Sequence, residues 1–243
     1  MTTSVAPQAP SAHRFGHRSV PLRALRPTIR VQAPVWAWFW GLMAAVAVVL
    51  AGIPARYDLG EMGVWGAVDA APRWFAFSLL LAHVATGTAP HVAHGMTRRA
   101  FVRLVAVLAA LTAVAAGLVW TVGYAVERTL TGRSVPDLAP LAAEHVVAIL
   151  CYSVTGALVG ATYLRGGPWW GTLTLPLTFG PLLATEAYTS SGWQGAVGRA
   201  IGFPEAPQAV ALVLPVLVSV LLLVVVDRVL HRAALRPASG LSG

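Results

Sequence analysis

Apolar residues run through this chain in six long blocks, at about 35–53, 72–94, 101–125, 143–164, 168–187 and 208–230. Short polar breaks separate them. Each block approaches the ~20 residues that an α-helix needs to cross a hydrocarbon layer ~30 Å thick. The pattern predicts an all-α membrane protein with six transmembrane helices. The fourth and fifth blocks are joined only by Arg165-Gly166-Gly167, which reads as a tight turn. The sixth, VALVLPVLVSVLLLVVV, is the most apolar, and its Pro215 predicts a kink.

Two further patterns are weaker. Before the first block, Leu22, Leu25 and Ile29 fall near one helical face with arginines between them. This suggests a helix lying on the membrane surface, although Pro27 interrupts it. The chain upstream is polar and Pro-rich, as in segments without regular structure. The organisation expected is a basic tail at 1–33, a six-span domain at 34–231 and a second tail at 232–243. Between the last two spans, Trp193, Val197 and Ile201 recur at four-residue spacing, with Gly192 before them and Gly202 and Pro204 after. That predicts a short amphipathic helix on the outer face, with a plain loop as the alternative.

Composition strengthens the membrane reading. The 243 residues are 57% hydrophobic and only 11% charged, against about 25% charged in soluble domains. All 17 basic residues are arginine, and the net charge is +8. They do not form one soluble basic face, so nucleic acid is not an expected partner. Their positions orient the chain instead. With the N-terminus inside, 12 of the 17 fall in inner segments, whereas eight of the nine acids fall outside or at outer helix ends. Arginine bias sets orientation, so both termini are expected in the cytoplasm of a multi-pass plasma-membrane protein. Trp36, Trp38 and Trp40 read as an interfacial belt where the first span leaves the cytoplasm.

The sequence contains no Walker A, GxSxG or HExxH pattern. The chain is therefore not expected to be an enzyme, nor to hydrolyse ATP or hold a metal. The lone Cys151 reads as a small buried apolar residue. His83 falls inside the second span and His145 near the outer end of the fourth. Two such histidines suggest an alternative function, a haem-binding or membrane-anchor subunit of an oxidoreductase. His83 reads better as a hydrogen-bonding residue within the bundle. Glu144 and Glu186 sit near outer helix ends, where solvated carboxylates are expected.

The break HVAHGMTRRAFVRL, at 91–104, holds three arginines where a turn needs only a glycine and something polar. Pro90 followed by Gly95-Met96-Thr97-Arg98-Arg99-Ala100-Phe101 and a small-residue-rich span resembles a signature of permease subunits of ABC-2-type transporters, in particular actinobacterial ones. Ala100 stands where members of that family often carry an acid. The layout of a basic N-terminal segment, six spans and an outer helical segment resembles that family too. The resemblance implies a short coupling helix between spans 2 and 3 that docks on a separate ATPase subunit. Gly95 would break the second span, Thr97 would cap the helix, Arg98 and Arg99 would face the ATPase or lipid phosphates, and Phe101 would anchor the next span. It also implies a second permease subunit, surrounding membrane lipids, and ATP with Mg held by the partner rather than by this chain. An exporter of a hydrophobic or amphipathic substrate is the function implied. Ser78, His83, Thr86, Thr178 and Thr185 are the pathway candidates. Neither topology nor the resemblance asks for His91 and His94.

Overall fold

A computed structural model describes residues 20–51, 63–189, 191, 195–204 and 206–233. The expected tail before residue 20, the chain after 233 and Trp193 lie outside these. The described residues form eight helices and no strand: α1 Val20–Ala51, α2 Gly63–Ala67, α3 Ala70–Ala93, α4 Arg98–Leu130, α5 Leu138–Leu173, α6 Leu175–Thr189, α7 Gly195–Ala200 and α8 Gln208–His231. Five of them, α1, α3, α4, α5 and α8, are long and apolar enough to cross a membrane.

The bundle is built around α5, whose segment 151–161 is buried without interruption. Its pairing with α3 is the most extensive in the molecule. Small residues allow it. A methyl added at Gly156 would overlap the Phe77 carbonyl oxygen, and one at Gly160 would press on the Leu81 carbonyl. Backbones approach this closely only where side chains are missing. In a bilayer, where lipid is as apolar as leucine, such packing is a main source of helix association.

The end of the bundle near residues 94–104 carries Arg98, Arg99, Arg103, Arg165, Arg228 and Arg232 and is called the arginine end below. There Phe101, Leu104, Leu222, Val226 and Leu230 form the largest buried cluster, with Ala24 and Leu25 of α1 against it. The opposite end carries Asp69 and is called the Asp69 end.

Several expectations change here. The surface helix foreseen for 20–33 is not separate, because α1 runs unbroken through Pro27 and Pro34. Because Leu25 packs at the arginine end, the tryptophans sit further along the bundle than hydropathy placed them. Phe39 stacks on Phe75 at 4.0 Å, and Trp36 meets the same ring edge-on at 4.7 Å. Phe75 is only six residues from Asp69, so these rings belong to the Asp69 half. The tryptophans form no belt at the arginine end, although Trp38 remains largely exposed.

The turn at Arg165-Gly166-Gly167 forms through Gly167, at φ +74°, a conformation that side chains other than glycine rarely adopt. The Tyr163 hydroxyl then meets Thr172 Oγ1 at 3.0 Å, and Tyr152 meets Glu186 further along. Residues 168–189 thus run back along α5. They do so in two pieces with a break at Thr174. The fifth expected span is therefore not one continuous helix: α6 alone has 15 residues, about 22 Å. Apolar periodicity cannot register such a break, because the broken segment stays just as apolar.

At α7 a short helix forms as expected and ends near Gly202. Gly198 lies against the Ala187 backbone of α6, while Val197 and Ile201 point outward.

Candidate functional site

The corner between α3 and α4 is assembled by three local features. Gly95 takes φ +86° and stops α3. Thr97 is the N-cap of α4, its Oγ1 accepting the Ala100 N–H at 3.2 Å. Phe101 is fully buried and pins the first turn of α4 in the core. Gly95 thus ends α3, Thr97 starts α4 and Phe101 sits in the core between them. The separate coupling helix does not form: residues 98–101 are the first turn of the 33-residue α4. With helix formers from Arg98 to Leu130 and a cap at Thr97, nothing stops the helix after one turn.

The arginines divide in role. Arg98 is not free to face a partner, because its Nη1 donates to the Leu230 carbonyl at 2.9 Å and to the His231 carbonyl at 2.6 Å. It closes the C-terminus of α8, whose last carbonyls have no partner within the helix. Arg99 and Arg103 remain exposed. Together Thr97, Arg98, Arg99, Ala100, Arg103 and His231 line an open cleft of about 490 Å³. Asp227 lies 3.3 Å from His231. The corner is a cationic concavity suited to carboxylate or phosphate groups, for which arginine supplies paired donors.

His91 and His94 hydrogen-bond through Nδ1 to the Gly87 and Pro90 carbonyls one turn back. His91 and His83 also gather around Phe101. The ring centroids lie 5.3 Å and 5.7 Å from that of Phe101, and 5.8 Å from each other. These two histidines help lock the end of α3 to the start of α4.

The pathway candidates differ in environment. Ser78 and Thr86 are exposed, Thr178 and Thr185 are buried, and His83 is half-buried. The hydroxyls of Thr86, Thr178 and Thr185 donate to carbonyls of their own helix, which spends the donor locally.

Sequence reasoning missed a polar network at the Asp69 end. Arg73 Nη2 lies 2.6 Å from Asp69 Oδ2, and Nη1 lies 3.7 Å from Glu186 Oε1. The Tyr152 hydroxyl donates to Glu186 Oε1 at 2.7 Å, and His145 Nε2 lies 2.8 Å from Asp69 Oδ1. Arg73, His145, Tyr152 and Glu186 are all buried. Glu186 is therefore not the solvated carboxylate expected, because α6 folds back and carries it between α3 and α5. Glu144, one residue before His145, is exposed as expected. The spacing Asp69–Arg73, one helical turn, was the only trace in sequence. Asp69 stands at the N-cap position of α3, with no capping hydrogen bond from its side chain. Burial pushes its carboxyl up, but the hydrogen bond with His145 and the charge of Arg73 outweigh this and hold it below the ordinary value.

This geometry also bears on haem. His145 uses both ring nitrogens, on Asp69 and on the Leu141 carbonyl, so neither is available to iron. Among the described residues no group of three or more His, Cys, Asp or Glu could hold a metal ion. Comparison of the chain with protein-family models, curated proteins and solved structures finds no match.

Proposed function

We propose that this chain is a permease subunit of an ATP-driven transporter of the ABC-2 type, an exporter of hydrophobic or amphipathic compounds in a bacterial plasma membrane. One observation carries the reading. The stretch Gly95–Phe101 forms an exposed, cationic corner at the arginine end of an apolar helical bundle. Its arginines are rooted in the core on one side by Phe101 and tied to α8 on the other by Arg98. A partner pressing on Arg99 and Arg103 moves α3, α4 and α8 together, since all three meet there. In this reading the arginine end and both termini face the cytoplasm. Residues 168–189 make a sixth, broken crossing. A second permease subunit completes the pathway. A separate acidic-surfaced ATPase carries ATP and Mg.

The test is purification of the full chain from native membranes. The expected result is co-purification of a protein whose sequence contains a Walker A motif and whose ATP turnover depends on this chain. Arg99→Glu with Arg103→Glu reverses the exposed charge without touching the Arg98 tie, and it should abolish that association while leaving insertion intact. Retention of the ATPase by the double variant, or no ATPase with the unmodified chain, would sink the proposal.

A further inference from the structure

Beside the turn at Gly167, the arginine end holds a second open cleft, of about 370 Å³, lined by Thr162, Arg165, Gly166, Trp170, Thr174 and Val229. It lies between α5, the returning segment and α8. The turn itself builds it. A side chain at Gly166 would overlap Cβ of Trp170, so the missing side chain lets Trp170 reach the cleft that Arg165 lines. Gly171 lies against the Tyr163 ring in the same way, which holds the returning segment on α5. Both threonines spend their hydroxyls on nearby carbonyls, Thr162 on Val159 at 2.8 Å and Thr174 on Trp170 at 2.9 Å. Arg165 has no such tie. It is exposed and makes no hydrogen bond or ion pair with any described residue.

The surface continues from the cleft in a definite order of polarity. Trp169, Trp170, Leu173 and Leu177 are 64–88% exposed. They follow Arg165 as the chain runs from the arginine end toward the Asp69 end, with about 12 Å of helix from Trp169 to Leu177. A cation, then two indoles, then aliphatic side chains match the phosphate, glycerol esters and acyl chain of a phospholipid. Indoles favour the headgroup level of a bilayer, and arginine meets a phosphate with paired donors. A water-soluble anion would satisfy the arginine but leave Leu173 and Leu177 unmatched. The charge of the headgroup follows from the surroundings. Val229 brings α8 to the cleft, and Arg228 and Arg232, which flank it in sequence, are exposed. Among the described residues only Asp227 brings a negative charge to this end. Basic pockets between membrane helices suit anionic headgroups.

We propose that this cleft binds one anionic phospholipid, with its phosphate on Arg165, its ester region against Trp169 and Trp170, and an acyl chain along Leu173 and Leu177. Bound there, the lipid bridges the turn after α5 to α8. This inference rests on the membrane character of the bundle and not on the transport reading, and it uses none of the residues of the cationic corner.

Native mass spectrometry of the full chain tests it, with the protein in detergent titrated with phosphatidylglycerol or with phosphatidylcholine of the same acyl chains. One phosphatidylglycerol should bind ahead of the rest, about fivefold tighter than the first phosphatidylcholine. Arg165→Gln should remove that preference. Arg30→Gln takes an exposed arginine from α1, changes the net charge equally and should leave the preference intact. Trp170→Leu should weaken both lipids, because the indole contact does not read headgroup charge. Sodium phosphate should displace neither. Should Arg165→Gln not insert, quenching of tryptophan fluorescence by phosphatidylglycerol with brominated chains reads the same site: a saturating component in the unmodified chain, missing from Trp170→Leu. Equal binding of the two lipids, a preference that survives Arg165→Gln, an equal loss in Arg30→Gln, or displacement by sodium phosphate overturns the proposal. So does a dimer that comes apart in Trp170→Leu, because a second copy would then cover this face.

Discussion

Gly156 of α5 lies directly against the carbonyl of Phe77 on α3, with no room for a methyl group between them. The two longest-packed surfaces in the molecule meet on this contact. Gly156→Ala must push the helices apart along their length, and a cost of about 1–3 kcal/mol is expected from overpacking. A thermal-unfolding series in detergent should rank Gly156→Ala well below Gly41→Ala, where an added Cβ meets nothing within 4 Å. Equal midpoints for the two would show that α3 and α5 do not pack as described.

Arg98 is a helix-end residue before it is a surface charge. Removing its two hydrogen bonds to Leu230 and His231 should cost about 1–2 kcal/mol locally. Amide exchange of the last turn of α8 should accelerate roughly tenfold in Arg98→Ala. Arg99→Ala should leave that exchange unchanged, because Arg99 is exposed. Equal effects from both substitutions would remove the distinction drawn between the two arginines.

Tyr152→Phe withdraws one donor from the buried Glu186 carboxylate. A destabilisation of about 1–3 kcal/mol is expected for a buried charged group that loses a partner. Combining it with Glu186→Gln should cost less than the sum of the two single changes, since the charge needing the donor has gone. A strictly additive cycle would mean that the two side chains do not act together.

Asp69 gives stability a definite acid limit. Its carboxyl titrates below the ordinary carboxylate value of 3.8 in the folded chain. The stabilisation it brings is therefore complete above about pH 3.8 and is lost as pH falls through the lower folded value. Asp69→Asn should flatten the acid side of a plot of stability against pH and leave its slope above pH 5 to other groups. Identical acid slopes in the two proteins would contradict the network at Asp69.

The sequence carried most of the architecture, and for an identifiable reason. Apolar blocks of bilayer length, glycines at positions 95, 167 and 202 and the cap at Thr97 act through local backbone chemistry, so they can be read without knowing what packs on what. Arg98 and Glu186 were misjudged for the opposite reason. From sequence, Arg98 is one of two adjacent cations and Glu186 one of two acids near helix ends. Only the arrival of the α8 C-terminus, 132 residues later in the chain, makes Arg98 a cap. Only the reversal at Gly167 takes Glu186 out of water.

Local composition thus determined a helical, multi-pass membrane character, the positions of the breaks and the charge asymmetry between the two ends, because hydropathy and turn chemistry are properties of neighbouring residues. The tertiary structure alone decided that the 20–33 segment joins the first helix, that the fifth apolar block is broken at Thr174, and that Asp69, Arg73, His145, Tyr152 and Glu186 form one buried network. Those outcomes depend on which distant surfaces fit closely enough to exclude water and lipid, and no spacing along the chain encodes that.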